Sequence, residues 1–497
     1  MRSLVPIAAA LLIAAGAPDK DAGPRVAVSG GVVEGVATTD GGPLLFRGVP
    51  YAQPPLKDLR WHAPEPVRAW SGIRSAKDRA PACLQNDYKW NSVDHVFASE
   101  DCLTLDVATP GLPGHSAARH PVMVWIHGGS NRAGSPGDMV AAPLGRGDVV
   151  LVAIRYRLGI FGFLSHRALA GEARGASGNY GLMDQVAALR WVRDNIARFG
   201  GDPGNVTIFG ESAGAQDVGL LLAAPDARGL FARAILQSGT PGFGLPPRPL
   251  DRALRLGDQL DARLGTDGSA TALRSASAPA LLAADLALHD EALESDDFLW
   301  LRPTLDGAVL PGDLRALLRA APVRPVIIGS NRAEFGMPGG RPHRDANVDA
   351  AFGINADRAR AFYALDRPDP APDARLGDRD LRIATHILFR CPAGRLADLL
   401  SAAGWPVWRY EFDLAPAGGR SFHGADIPYV LGDQRFGENL SLQAYWLNFA
   451  AGGNPEGAGL PDWPGYGRDR HYVTFDAAGV TPGAALAAEP CGWMDRF

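Results

Sequence analysis

Beyond its first 17 residues the sequence contains no stretch long and apolar enough to cross a bilayer, and nowhere does it hold a run of Lys or Arg. The 49 basic and 54 acidic residues give a formal charge of -5, so a general attraction for nucleic acid or for an anionic membrane surface is excluded as the basis of function. Cysteine is scarce. Cys83, Cys102, Cys391 and Cys491 form no C-x-x-C and stand at no metal spacing from a histidine, which argues against a zinc or redox role and leaves three complete disulfide pairings open. No segment repeats at a fixed period. With 497 residues, 46% of them hydrophobic, the chain has material for a large core, and one α/β domain over residues 24–497 is preferred to two or three ordinary ones.

Arg2 precedes an almost wholly apolar run over 4–17, followed by Asp19-Lys20-Asp21. The run falls short of the roughly 20 residues that span a bilayer and reads as a signal peptide, with cleavage expected near Ala15-Gly16-Ala17. A retained anchor or an unstructured start is the other reading. Export to the periplasm or outside the cell would place the four cysteines where disulfides persist.

Residues 26–36 and 44–50 read as strands of a small antiparallel sheet, before a Pro-rich stretch over 54–66. Residues 122–126 and 149–154 are continuous apolar runs, as expected for strands buried on both faces. Leu182, Val186, Leu189, Val192 and Ile196 recur at helical spacing before the break at Gly200-Gly201-Asp202-Pro203. The alternation continues through strands at 206–209, 234–236, 326–328 and 407–410, which predicts a mainly parallel sheet covered by helices. Residues 246–297 and 337–381 lose this pattern and read as insertions above the sheet.

Gly210-Glu211-Ser212-Ala213-Gly214 lies between the strand at 206–209 and a helix expected over 213–224. With 60 Gly and 21 Ser, a bare G-x-S-x-G is expected by chance roughly 0.3 times in a chain of this length, so the strand-turn-helix context carries the reading as a nucleophile elbow. A serine hydroxyl needs a base to take its proton and a group to hold that base. Glu334, in Gly329-Ser330-Asn331-Arg332-Ala333-Glu334, and His423, in Ser421-Phe422-His423-Gly424, both follow strands in the order serine, acid, histidine. His127-Gly128-Gly129-Ser130 follows a central strand, and the N–H groups of Gly129, Ser130 and Ala213 are the expected donors to a developing oxyanion.

These motifs resemble the type-B carboxylesterases, the α/β-hydrolase family that includes cholinesterases and bacterial para-nitrobenzyl esterases. The similarity runs from about residue 33 to 493 and includes Phe46-Arg47-Gly48-Val49-Pro50-Tyr51, Glu100-Asp101-Cys102-Leu103, Asn179-Tyr180-Gly181-Leu182-Met183-Asp184-Gln185 and Ala234-Ile235-Leu236-Gln237-Ser238-Gly239. It implies the α/β-hydrolase fold and a triad of Ser212, Glu334 and His423. The expected disulfides, Cys83 with Cys102 and Cys391 with Cys491, match family positions. The resemblance also implies two structural ion pairs, Arg60 with Glu100 and Arg157 with Asp184. Four departures stand out. Ser130 replaces a third glycine, Phe335 replaces the glycine that follows the acid, Trp90 resembles a choline-site tryptophan but is expected to anchor its loop, and Arg132 stands where relatives often carry an aromatic residue. Arg132 is therefore a candidate for selecting carboxylate-bearing esters, and Phe298, Leu299 and Trp300 are candidates for the acyl side of the pocket.

The expected function is hydrolysis of a small-molecule carboxylic ester through an acyl-enzyme on Ser212, by a monomer or homodimer, without metal or organic cofactor. An amidase, thioesterase or lactonase would use the same triad, and a non-catalytic binding protein on the same fold is the rival from another class. With an unperturbed His423, kcat/KM is expected to rise around pH 6 to 7.

Overall fold

The apolar runs become the centre of one eleven-stranded sheet in the computed structural model, which describes residues 23–114, 119–173, 177–415 and 419–494. The leader expected at 1–17 lies outside the described residues. The strands are β1 (Val36–Ala37), β2 (Leu44–Pro50), β3 (Thr104–Thr109), β4 (His120–Ile126), β5 (Val150–Ile154), β6 (Gly201–Glu211), β7 (Arg233–Gln237), β8 (Val326–Asn331), β9 (Val407–Phe412), β10 (His471–Asp476) and β11 (Gly479–Ala484). Their spatial order is β11-β10-β9-β8-β7-β6-β4-β5-β3-β2-β1. Strands β4 to β10 run parallel, with antiparallel pairs at both ends.

Period-2 alternation explains why these strands are apolar throughout. Val122, Val124 and Ile126 of β4 face one core together with Val206 and Ile208 of β6, covered by helices α1 (Tyr180–Asn195) and α2 (Ala213–Ala223). Met123, Trp125 and Phe209 face the opposite core, covered by α3 (Leu442–Gly452) through Tyr445, Trp446 and Phe449. Because β5 and β6 lie on opposite sides of β4, the loops after β4 and β6 diverge at the carboxyl end of the sheet. Such a switch point is where open α/β sheets form their ligand crevice.

The amino-terminal part differs from the sequence expectation. The strand expected over 26–36 breaks at Ser29-Gly30 into Arg25–Val28 and Gly31–Glu34, an antiparallel pair joined in parallel by Ile73–Ser75. The indole of Trp70 fills the space beside Gly30 and Gly31 that side chains would occupy. Strand β2, expected in the same small sheet, joins the large one instead, pairing with β3. The stretch over 246–297 holds helices Leu250–Leu264, Ala270–Ser275 and Ala278–Asp285, and 337–381 holds Arg344–Phe352 and Ala356–Phe362.

Disulfides join Cys83 to Cys102 and Cys391 to Cys491. In the chain-entropy picture loops of these lengths stabilise by about 3 and 4.7 kcal/mol, and such bonds suit an oxidising compartment. Among the described residues no helix is long and apolar enough to cross a membrane. Both expected ion pairs form: Arg60 grips Glu100 through two hydrogen bonds of 2.7 and 2.6 Å, and Arg157 grips Asp184 through two of 2.8 and 2.7 Å. A third buried pair, Arg155 with Asp106, went unread in the sequence. Burial raises the pKa of Asp184, and the Arg157 guanidinium pulls it back. Replacing Arg157 by Met, which strands Asp184 in the core, is expected to cost about 3 to 5 kcal/mol in denaturant unfolding; a loss below about 1 kcal/mol would show that the pair is not structural.

Candidate active site

Close packing fixes the elbow before any chemistry is considered. Ser212 has φ 56° and ψ -126° between β6 and α2, a conformation that costs an L-residue energy and holds only when its surroundings enforce it. A Cβ on Gly214 would lie 2.0 Å from the carbonyl oxygen of Ile126, and one on Gly210 would lie 2.6 Å from the backbone of Gly214, so both motif glycines are required by contact. Gly239 approaches from the next strand, where a Cβ would meet the Ser212 carbonyl oxygen at 2.2 Å. The Ser212 N–H donates to the Gln237 carbonyl at 2.9 Å, tying the turn to β7.

Two loops bring the acid and the histidine together. Glu334 follows β8, and its Oε1 accepts the Asn331 N–H at 2.7 Å while its own N–H donates to Thr385 Oγ1 at 3.1 Å. Its Oε2 lies 2.7 Å from His423 Nδ1, which directs the proton of the neutral ring to Nδ1 and leaves Nε2 as the basic nitrogen. His423 Nε2 is buried without a hydrogen-bond partner, and Glu211 Oε1 lies 3.2 Å away. Phe335 and Phe389 pack against the imidazole with ring centroids 4.7 and 5.1 Å distant. Phe335, in place of glycine, thus becomes a wall of the site and leaves the Glu334 contact in place.

The loop after β4 forms a single left-handed turn. Gly129, Ser130 and Asn131 have φ of 106°, 59° and 54°, and the N–H groups of Arg132 and Ala133 both donate to the Gly129 carbonyl at 3.0 Å. The leading N–H groups of such a turn, on Gly129 and Ser130, have no acceptor within it, as at a helix start. The N–H of Ala213 begins α2 and likewise has no intrahelical acceptor. A Cβ on Gly128 would lie 3.0 Å from Ser212 Cβ, so this loop runs directly against Ser212.

Above the loop opens a cleft of about 400 Å³ lined by Tyr88, Trp90, Gly129, Ser130, Arg132, Asp297, Phe298, Phe335, Gly336, Met337 and Pro338. Of the acyl-side candidates, Phe298 lines it. Leu299 and Trp300 do not: Leu299 packs into the core, and the Trp300 indole N–H donates to buried Asp285 at 3.0 Å, which turns the ring away. Arg132 lies on the rim with its guanidinium 4.2 Å above the Tyr88 ring and Nη1 3.0 Å from Asp297. The anchor expected of Trp90 is supplied by its neighbour instead. Trp90 is 63% exposed at the cleft mouth, whereas buried Asn91 anchors the loop through Gln85, Asn86 and Tyr88.

Known proteins share this fold and much of this sequence. The fold is the α/β-hydrolase fold: a solved PNB esterase superposes with a TM-score of 0.81 at 30% identity, over 95% of this chain and 99% of its own. The Carboxylesterase family model matches residues 22–491, and the chain belongs to that family. Fumonisin B1 esterase of Sphingopyxis macrogoltabida is 36% identical over 93% of this chain and 87% of its own, and para-nitrobenzyl esterase of Bacillus subtilis is 34% identical over 86% and 90%. The protein is a carboxylic ester hydrolase.

Glu211 was unread in the sequence as a site residue, although its place before the serine was visible. Burial raises its pKa, with the His423 charge opposing. Burial alone would lower the pKa of His423, but the Glu211 charge and the Glu334 hydrogen bond outweigh it and hold the ring above its usual 6.5. The limb expected at pH 6 to 7 therefore moves upward. With neutral His423 as the base, kcat/KM is expected to rise as the ring deprotonates, and Glu211→Gln, which removes a stabilising charge from the imidazolium, is expected to lower that limb by about 1 unit or more. A limb that stays put or rises in the variant would contradict the electrostatic assignment.

Proposed function

We propose that the chain is a serine carboxylesterase working through an acyl-enzyme on Ser212, with His423 as general base and acid and Glu334 as its orienting carboxylate. The observation that supports this most directly is the 2.7 Å contact between His423 Nδ1 and Glu334 Oε2, made by residues 89 positions apart that share the sheet end where the elbow projects. Ser212 Oγ attacks the ester carbonyl as its proton passes to His423 Nε2. The carbonyl oxygen, now negative, accepts hydrogen bonds from the N–H groups of Gly129, Ser130 and Ala213. Collapse of this intermediate expels the alcohol, protonated by His423. Water then attacks the acyl-enzyme with His423 again as base, releasing the acid and restoring Ser212. Glu211 favours proton uptake by the ring in both steps.

The named activities of the relatives, on fumonisin B1 and on para-nitrobenzyl esters, support a carboxylic ester as substrate. Initial rates on para-nitrophenyl esters are expected to fall by about 10⁴-fold or more in Ser212→Ala; retention of the rate would exclude this serine as nucleophile.

Arg132 supports a preference for esters that carry a carboxylate. Its charge sits on the cleft rim, steadied by Tyr88, and its partner Asp297 has a side chain 77% exposed that a substrate carboxylate can displace. Arg132→Ala is expected to lower, and Asp297→Asn to raise, the ratio of kcat/KM for carboxylate-bearing over neutral esters by about five-fold or more. A ratio unchanged in both variants would remove Arg132 from substrate selection.

A further inference from the structure

The left-handed turn that carries the Gly129 and Ser130 donors contains two residues that are not glycine, Ser130 and Asn131. The conformation costs an ordinary residue such as Ser130 about 1 to 2 kcal/mol and asparagine less, so the turn must be held from outside. The restraint converges on Asn131, which is fully buried. Its carbonyl accepts the Gly159 N–H at 2.6 Å, its Nδ2 donates to Asp217 Oδ1 at 3.0 Å, and its Oδ1 lies 3.2 Å from the Tyr156 hydroxyl oxygen. The single proton of the Tyr156 hydroxyl goes to the His127 carbonyl at 2.7 Å, fastening the start of the loop.

Asp217 has no part in the steps written above. It lies on α2 five residues beyond Ser212, about 7.5 Å along the helix axis, and its second oxygen accepts the Gln185 amide of α1 at 2.5 Å. Asp217, Asn131, Gln185 and Tyr156 are all fully buried. The hydrogen-bond partners of this carboxyl are two neutral amides with no cation among them, an expensive arrangement that a hydrocarbon side chain would avoid. Burial pushes it up to about 7, with the two amide donors pulling it down.

We propose that Asp217 is a positioning residue for ester hydrolysis: by clamping Asn131 to the helix that begins at Ser212, it fixes the Gly129 and Ser130 donors relative to the nucleophile. A rigid helix then sets the spacing between the attacking oxygen and the groups that receive the oxyanion. Displacing the loop requires breaking the Asn131–Asp217 bond. The inference rests on the assignment of Ser212 and of this loop made under the proposed function.

The test compares Asp217→Asn with the reciprocal double variant Asn131→Asp/Asp217→Asn, which restores an amide–carboxylate bond with its ends exchanged. Readouts are kcat and KM on para-nitrophenyl butyrate, and Ki for a trifluoromethyl ketone, whose adduct with the serine places an oxyanion in the hole. For Asp217→Asn the expected result is a fall in kcat of about 10- to 100-fold, with KM changed by less than about three-fold and the ketone weakened in step with kcat. The double variant is expected to recover most of the lost kcat. A single variant with unchanged kcat, a loss confined to KM, or a double variant no better than the single would overturn the proposal. If Asp217→Asn does not fold, Asn131→Gly, which tolerates the left-handed conformation but lacks the bond, is expected to show the same kcat-specific loss, and full activity there would overturn it equally. Ser212→Ala run alongside separates the cases: an active Ser212→Ala defeats the assignment of the nucleophile, whereas an inactive one with no recovery in the double variant defeats the clamp alone.

Discussion

Everything in the site is arranged around the backbone of Ser212, held at φ 56° where β6 turns into α2. The turn is possible because Gly210, Gly214 and Gly239 let the backbones of β6, α2, β4 and the segment after β7 approach to distances that exclude a Cβ. The parallel sheet supplies those neighbours: β4 and β7 flank β6, and their carboxyl ends stop level with the elbow. The loop after β4 then lies against Ser212. The strain at one residue is balanced by the packing of the whole central sheet, which is why the fold and the chemistry cannot be separated here.

Around His423 the dominant constraint is electrostatic. Glu334 and Glu211 approach the ring nitrogens from two elements, and buried Asp426 lies behind, accepting from Tyr410 and Gln237 at 2.8 and 2.9 Å. These carboxyls face one imidazole in a region walled by Phe335 and Phe389, where little water screens them. The arrangement favours the protonated form of His423. Thr385, at the start of a π-helical turn over Thr385–Arg390, receives the Glu334 N–H, and the same turn carries Phe389. One irregular turn thus supports the acid and encloses the base.

The central strands, the strand-turn-helix at Ser212 and the places of Glu334 and His423 after strands were legible in the sequence because each leaves a local pattern: an apolar run, a glycine spacing, a polar residue just after a strand. Strands β3, β10 and β11 were not. Asp106 in β3 is buried in a pair with Arg155, just past the end of β5, and β11 is an edge with Pro482 in its ladder, so neither shows the expected alternation. Trp300 does not face the cleft because a tryptophan's orientation depends on whether a buried acceptor such as Asp285 is within reach of its N–H. Asn131, Asp217 and Gln185 lie 86 and 32 residues apart and share no local motif, so their convergence is visible only in three dimensions.

The central claim is that the chemistry passes through a covalent ester on Ser212. Mass spectrometry of enzyme acid-quenched during turnover of para-nitrophenyl acetate, followed by peptide mapping, tests it most directly. The account predicts an added acetyl group on the peptide containing Gly210-Glu211-Ser212-Ala213-Gly214 and its disappearance when substrate is exhausted. Rapid turnover with no acetylated peptide, or with the label on another residue, would contradict it.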